Sequence, residues 1–128
     1  MAGDVVSYQG YDEKVISTTV ALGEATSAAI DLGDWTYAAT VMPSAWTTPD
    51  GTANATMTFQ VSKDNTNWGN LRTENRSELT LYATANDHIS FGTVLDYFRP
   101  WRYIKVRNGT ADEPATQAAA RTIYIVTK

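Results

Sequence analysis

Two runs of alternating side chains near the C-terminus constrain the fold more than any other feature of this chain. They are Trp101-Arg102-Tyr103-Ile104-Lys105-Val106-Arg107 and Arg121-Thr122-Ile123-Tyr124-Ile125-Val126-Thr127, and they flank a loop that contains Asn108-Gly109. A period of two is typical of β-strands, whose successive side chains point to opposite faces. Because nothing near these runs resembles a helix, the C-terminal third is predicted to form antiparallel strands.

The rest of the chain continues this pattern. Further strands are predicted at residues 15–22, 28–32, 35–42, 56–62, 79–84 and 87–91, separated by turn formers such as Gly23, Gly33-Asp34 and Pro49-Asp50-Gly51. No useful length of sequence shows the 3.6-residue period of an amphipathic helix. We therefore predict an all-β domain, an antiparallel, jelly-roll-like β-sandwich of about seven to nine short strands, with a small barrel as the alternative.

Length and composition predict one domain. The chain has 128 residues, of which 43% are hydrophobic, and no apolar stretch of bilayer-spanning length. We predict an extended N-terminal arm over residues 1–13, with Tyr8 and Tyr11 as its bulky aromatic anchors, and a single domain over residues 14–128. The absence of cysteine excludes disulfides. Because no basic region followed by an apolar run begins the sequence, we expect synthesis in a cytoplasm.

No group of residues matches a catalytic, metal or nucleotide motif. Glu74 with Glu78, or Asp87 with Asp96, could supply a carboxylate pair for glycoside cleavage, but 14 acidic residues in a chain of 128 produce such pairs by chance. His88 is the single histidine, and its place beside Asp87 is typical of a turn or a strand edge. We predict a non-enzymatic protein with no catalytic residue, no metal and no cofactor.

The charge distribution indicates protein partners. The net charge is −4, which disfavours nucleic acid, and no membrane contact is predicted. Eight acidic residues accompany only Lys14 and Lys63 in residues 1–64, whereas Arg99 to Arg107 holds four cations and no acid. Opposite charges at two places favour association with copies or with complementary partners, the alternative being a solvated strand face.

The basic aromatic run supplies most of the candidate interface. Alternation places Arg102, Ile104 and Val106 on one face and Trp101, Tyr103, Lys105 and Arg107 on the other. Aromatic residues and arginine are favoured at interface centres, although Trp101 and Tyr103 could instead belong to the core beside solvated cations. The candidate interface residues are Tyr8, Tyr11, Trp46, Arg99, Trp101, Arg102, Tyr103, Lys105 and Arg107.

Two further positions carry specific predictions. Trp46 lies in the long connection 43–54 and is either a lid over the edge of the domain or an exposed contact. Arg121 shares a face with Ile123 and Ile125, so its guanidinium should be half-buried. A buried guanidinium needs a carboxylate or carbonyl partner, and we predict a structural ion pair, with Asp96 and Asp31 among the candidate partners.

Two segments resemble a known group of proteins. They are Thr58-Phe59-Gln60-Val61-Ser62 followed by Asp64 and Trp68, and Trp101 to Arg107 followed by Gly109-Thr110, Pro114 and Gln117 to Thr122. Together, over residues 55–127, they resemble small all-β proteins encoded among the structural genes of tailed bacteriophages. The run Arg102 to Val106 also resembles discoidin-like carbohydrate-binding sandwiches.

The phage resemblance implies a virion component. The expected role is a capsid cement or decoration protein on the head surface, made in the host bacterial cytoplasm. Its expected partners are the major capsid protein and copies of itself, with a trimer as one candidate assembly. The alternatives are a carbohydrate-binding or adhesion module of the tail, in which Trp46, Trp68 or Trp101 would stack on sugar rings, and a head-tail adaptor.

Overall fold

The computed structural model describes residues 4–8, 11–49 and 55–128, with side chains described from Lys14 onward in these ranges. This part of the chain forms ten strands and one short helix. The strands are β1 (Asp4–Tyr8), β2 (Tyr11–Val20), β3 (Ile30–Asp31), β4 (Tyr37–Val41), β5 (Thr56–Ser62), β6 (Gly69–Asn70), β7 (Leu81–Tyr82), β8 (His88–Ser90), β9 (Tyr103–Asn108) and β10 (Arg121–Thr127), and the helix α1 spans Leu95–Phe98.

The strands form two antiparallel sheets. Sheet A has the order β1-β2-β10-β4-β8, and sheet B has the order β3-β9-β5-β6 with β7 also paired to β5. Along the chain, each of four antiparallel pairs lies inside the one before it: β2·β10, β3·β9, β4·β8 and β5·β7. The chain therefore follows the path of one long antiparallel ribbon that is folded over on itself. Successive pairs of this ribbon belong alternately to sheet A and sheet B. The prediction of an all-β antiparallel protein is confirmed.

Residues from both sheets share one core. The alternating runs direct Ile123 and Ile125 of β10, and Ile104 and Val106 of β9, into this core, where each is fully buried. Tyr37 of sheet A meets Phe59 of sheet B edge-on, with ring centroids 5.9 Å apart. Such ring pairs contribute about 0.5–1.5 kcal/mol beyond the burial of their area. The two sheets are therefore joined by aromatic packing.

Residues 4–8 and 11–13, in the segment predicted as an extended arm, belong to strands β1 and β2. β1 pairs with residues 11–15 of β2, whereas β10 pairs only with residues 14–20, so the β1–β2 hairpin extends beyond the end of β10. Tyr8 and Tyr11 face each other in the backbone register, and their side chains lie outside the described part of the chain. The predicted first strand thus begins at Tyr11 rather than at Val15.

Short elements depart most from prediction. The segment predicted as a strand at 79–84 contains only the two residues of β7, and the four-residue helix α1 was not predicted at all. Neither is long enough to display a period in the sequence. Within the described ranges, no helix has the length and apolar character that crossing a membrane requires.

Candidate functional site

Three connections each place a tryptophan at the same end of the molecule. Tyr103, the first residue of β9, pairs with Asp31 at the end of β3 and with Ser62 at the end of β5. The loops that leave β3 and β5 therefore meet the segment that enters β9. These three segments carry Trp35, Trp68 and Trp101, and each indole is half-buried. We call this region the tryptophan end.

Trp68 and Trp101 line one groove of about 310 Å³. The groove is lined by Val61, Ser62, Lys63, Asp64, Asn67, Trp68, Gly69 and Trp101. Lysine side chains lie against both indoles: Nζ of Lys105 is 4.2 Å from the ring centroid of Trp68, and Nζ of Lys63 is 5.5 Å from that of Trp101. Cations at such distances are attracted by the ring faces. The groove thus has ammonium donors close to its aromatic surface.

A second groove, of about 270 Å³, also borders Trp101. It is lined by Gly33, Asp34, Trp35, Thr36, Arg99, Pro100, Trp101 and Arg102. Trp101 therefore belongs to both grooves, and the two grooves together are bordered by the three indoles.

Asp64 fixes the shape of the loop before Trp68. Its Oδ1 accepts hydrogen bonds from the backbone N–H groups of Thr66 at 2.9 Å and Asn67 at 2.8 Å, and from the Ser62 hydroxyl at 2.9 Å. These donors favour the ionised form and hold the pKa of the Asp64 carboxyl far below its usual range. Asn65 adopts φ 60°, a left-handed conformation that asparagine tolerates. The loop is therefore preshaped by its own side chains.

Ion pairs border the second groove. Arg102 donates from Nε and Nη2 to the two carboxylate oxygens of Asp31, at 3.0 and 3.1 Å, and its guanidinium lies 5.1 Å from the ring centroid of Tyr103. The Arg102 hydrogen bond lowers the pKa of the Asp31 carboxyl. Arg99 pairs with Asp96 at 2.8 Å. The four side chains of these two pairs are each at least half exposed, so the pairs border the groove but add little to the stability of the fold.

Two predicted interface residues are inside the protein instead. Arg107 is 5% exposed and is held by Glu78 and Thr58, because the segment that contains Glu78 folds over the outer face of β9. Trp46 is 8% exposed and belongs to the core cluster. Of the two alternatives for Trp46, the structure agrees with a lid over the edge of the domain. Neither Arg107 nor Trp46 is exposed enough to contact a partner.

The predicted ion pair of Arg121 is wrong. The Arg121 guanidinium is half-buried as expected, but it donates to the Gln117 side-chain oxygen at 3.3 Å and to the Thr47 hydroxyl at 3.5 Å. Asp31 and Asp96 are occupied by other arginines. Gln117 also accepts from the Thr47 backbone, so this polar group anchors the connection that carries Trp46.

The candidate carboxylates each have a separate local partner. Glu74 accepts from the Tyr97 hydroxyl, Glu78 pairs with Arg107, Asp87 accepts from the Thr84 backbone, and Asp96 pairs with Arg99. The hydrogen bond lowers the pKa of Glu74 and raises that of Tyr97. In the described ranges, no group of three or more acids and histidines is arranged to hold a metal ion.

A second surface, the outer face of sheet A, was missed in the sequence. Backbone register aligns two outward rows across β2, β10, β4 and β8: Ser17, Tyr124, Val41 and His88, then Val15, Val126, Ala39 and Ser90. Thr19 and Thr122 extend the face. None of these side chains is an acid, a lysine or an arginine. The signal was present in the outward positions of β10, where Thr122, Tyr124 and Val126 alternate with buried residues.

Comparison of the chain with protein-family models, with curated proteins and with solved structures yields no match.

Proposed function

We propose that this chain is a non-enzymatic structural protein of a bacteriophage virion, a capsid cement protein that stabilises the head as a homo-oligomer. The sequence resemblance over residues 55–127 supports the virion assignment. The nested strand pairs support a jelly-roll-like β-sandwich, an architecture found among viral capsid proteins and lectins. Since one fold hosts many functions, the surface must supply the more specific support.

The observation that carries the proposal is the outward face formed by β10, β4, β8 and the part of β2 from Val15 onward, whose two rows contain no acid, lysine or arginine. Solvated sheet faces normally bear charged side chains, and the depletion of charge is a mark of interface cores. Here four adjacent strands present valine, alanine, serine, threonine and tyrosine, together with His88 at the β8 edge, and Tyr124 is 45% exposed near the middle of the face. This face suits a flat protein partner.

Stabilisation would follow from mass action. A protein that binds the assembled shell and not the separated subunits raises the free energy needed to break the shell. Docking through a face without acids, lysine or arginine removes no such charge from water. The removal of charges from water is the usual cost of a polar interface. The β1–β2 hairpin extends beyond β10 and supplies a second element that can reach a neighbouring subunit.

The test is addition of purified protein to phage heads that lack it. The wild-type chain should bind at saturable stoichiometry and raise the temperature or osmotic shock at which the heads rupture. Tyr124→Lys places a charge in the middle of the sheet A face and should lower binding by tenfold or more, since an unpaired charge in an interface is costly.

Tyr82→Lys is the matched control. Tyr82 is also an exposed strand tyrosine, 72% exposed, but it belongs to β7 in sheet B. This variant should bind and stabilise heads like the wild type, and both variants should unfold at temperatures close to that of the wild type. Heads that gain no resistance from the wild-type chain would rule out the cement function. Equal loss in both variants would rule out sheet A as the docking face.

A further inference from the structure

We infer that the tryptophan end binds a neutral oligosaccharide, with pyranose rings stacked on Trp68 and Trp101 and the next unit reaching Trp35. Sugar binding there is independent of docking through sheet A, because the two surfaces use different residues. Trp46 takes no part, since it is buried at a separate place in the chain.

The placement of the indoles favours a ligand over a purely structural role. Trp101 packs against the core cluster, whereas Trp35 and Trp68 are half-buried without belonging to the buried cluster or to the residues packed against it. Large aromatic side chains that do not fill the core normally find a polar or ligand contact for their exposed surface. The apolar C–H face of a pyranose ring matches an indole in size and polarity.

The polar groups around the indoles suit sugar hydroxyls. Lys63 and Lys105 each hold an ammonium group over an indole ring, and Lys63 also donates to the Pro100 carbonyl at 3.4 Å. Neither lysine forms an ion pair with another described residue, so a pyranose ring can displace each ammonium group from the indole without breaking an ion pair. An ammonium group donates up to three hydrogen bonds. Hydroxyls at the rim of a stacked ring would therefore meet donors directly beside the stacking surface. Such a combination of aromatic walls and few placed polar groups is typical of small-ligand sites.

The charge balance favours a neutral ligand. Arg99 and Arg102 are neutralised by Asp96 and Asp31. The two lysines are balanced by two other acids that line the grooves, Asp34 and Asp64. The tryptophan end thus has no net charge with which to attract an acidic or a basic polymer, and stacking with hydrogen bonding must supply the affinity. The preshaped Asp64 loop lowers the entropic cost of binding.

The experiment is NMR titration of the full chain, using its four indole N–H signals. The probes are cellotetraose, maltotetraose and chitotetraose, each raised to roughly 10 mM because isolated sugar sites bind weakly. At least one probe should shift the Trp68 and Trp101 signals in a saturable way, and the buried Trp46 signal should stay in place. Decaproline peptide is titrated in parallel, because proline-rich segments also dock on aromatic grooves.

Variants separate ligand binding from folding. Trp68→Ala should weaken binding roughly tenfold, Trp68→Phe should weaken it less, and Lys105→Met should weaken it while leaving the unfolding temperature almost unchanged. Tyr82→Lys, at a distant exposed tyrosine, should bind like the wild type. The inference is overturned if none of the three sugars moves the indole signals, if decaproline alone moves them, or if Trp68→Ala binds as tightly as the wild type.

Discussion

Arg107 and Glu78 form an ion pair in the interior, with Nη2 of Arg107 2.6 Å from Oε2 of Glu78 and side-chain exposures of 6% and 16%. Nε of Arg107 donates to the Thr58 hydroxyl at 3.0 Å, and that hydroxyl donates to the Gly109 carbonyl at 2.8 Å. Glu78 also accepts from the backbone of Ala111. This network fastens the segment before β7, strand β5 and the loop after β9 to one another.

Breaking this pair should destabilise the fold. Arg107→Met leaves Glu78 buried without its partner, and we expect the free energy of unfolding to fall by about 3–5 kcal/mol. Arg107→Lys should also be costly, because a lysine cannot reproduce the fork that bonds Glu78 and Thr58 together. Urea denaturation measures both changes.

Arg102→Met is the matched control for this prediction. Its pair with Asp31 is also an arginine–carboxylate pair, but its side-chain exposures are 56% and 50%. The expected loss is much smaller than that of Arg107→Met, because water screens an exposed pair. Similar losses at Arg102 and Arg107 would contradict the importance of burial.

The contrast between these two arginines shows what the sequence could supply. Alternation correctly separated Arg107 from Ile104 and Val106, because side-chain direction follows from the local period of two. It could not show that Arg107 is covered, since the segment that carries Glu78 lies about thirty residues away and reaches β9 only through tertiary packing. The interface prediction for Arg107 failed for this reason.

The tryptophan end illustrates the same limit. Strands β5, β9 and β10 were predictable because each displays the alternation over six or seven residues. The meeting of Trp35, Trp68 and Trp101 depends instead on the register of β3 and β5 against Tyr103. Register is set by packing across the whole sheet, and two-residue strands such as β3 leave no readable period.

Gly109 is the glycine that the fold requires. It adopts φ 86°, and a Cβ there would collide with the carbonyl oxygen of Glu113 across the turn. Gly109→Ala should lower the free energy of unfolding by about 2 kcal/mol or more, because backbone strain adds to the clash. Gly69→Ala should instead raise the free energy of unfolding, since nothing lies within 4 Å of its added Cβ and its φ is ordinary. Thermal unfolding of both variants tests this; a tolerated Gly109→Ala would refute it.

The hydroxyl of Tyr37 should be dispensable. Tyr37 is fully buried, and burial raises the pKa of its phenol against a smaller opposing effect of the Thr40 hydroxyl. Neither of these two hydroxyl oxygens makes a well-formed hydrogen bond with a described residue. Tyr37→Phe removes an unsatisfied polar group and keeps the ring contacts, so stability should be unchanged or rise by about 1 kcal/mol. As a comparison, Thr127→Val removes a buried hydroxyl that does donate, to the Lys14 carbonyl at 2.8 Å, and should lose about 1 kcal/mol. Chemical denaturation measures the free energy of unfolding of both variants. A clear loss of stability in Tyr37→Phe would mean that the Tyr37 hydroxyl does form a stabilising hydrogen bond.

The loop of Asp64 should make stability depend on acid pH. The ordinary pKa of this carboxyl is 3.8, and hydrogen bonds in the folded state hold it far lower. A carboxyl whose pKa is depressed by folding stabilises the protein fully above its unfolded pKa, and this stabilisation is lost as the pH falls through the folded pKa. Asp64→Asn should therefore lower the unfolding temperature most at pH 5–7, and the difference from the wild type should shrink below about pH 4.

The measurement for Asp64 is thermal unfolding of wild type and variant between about pH 2 and pH 7. Asp112→Asn, at an exposed acid in the loop between β9 and β10, is the control and should follow the wild type closely at every pH. A gap between wild type and Asp64→Asn that stays constant down to the lowest pH would mean that the lost stability comes from packing of the loop rather than from its charge. Because the same loop shapes the groove beside Trp68, the variant at pH 7 should also bind the tetrasaccharide probes more weakly.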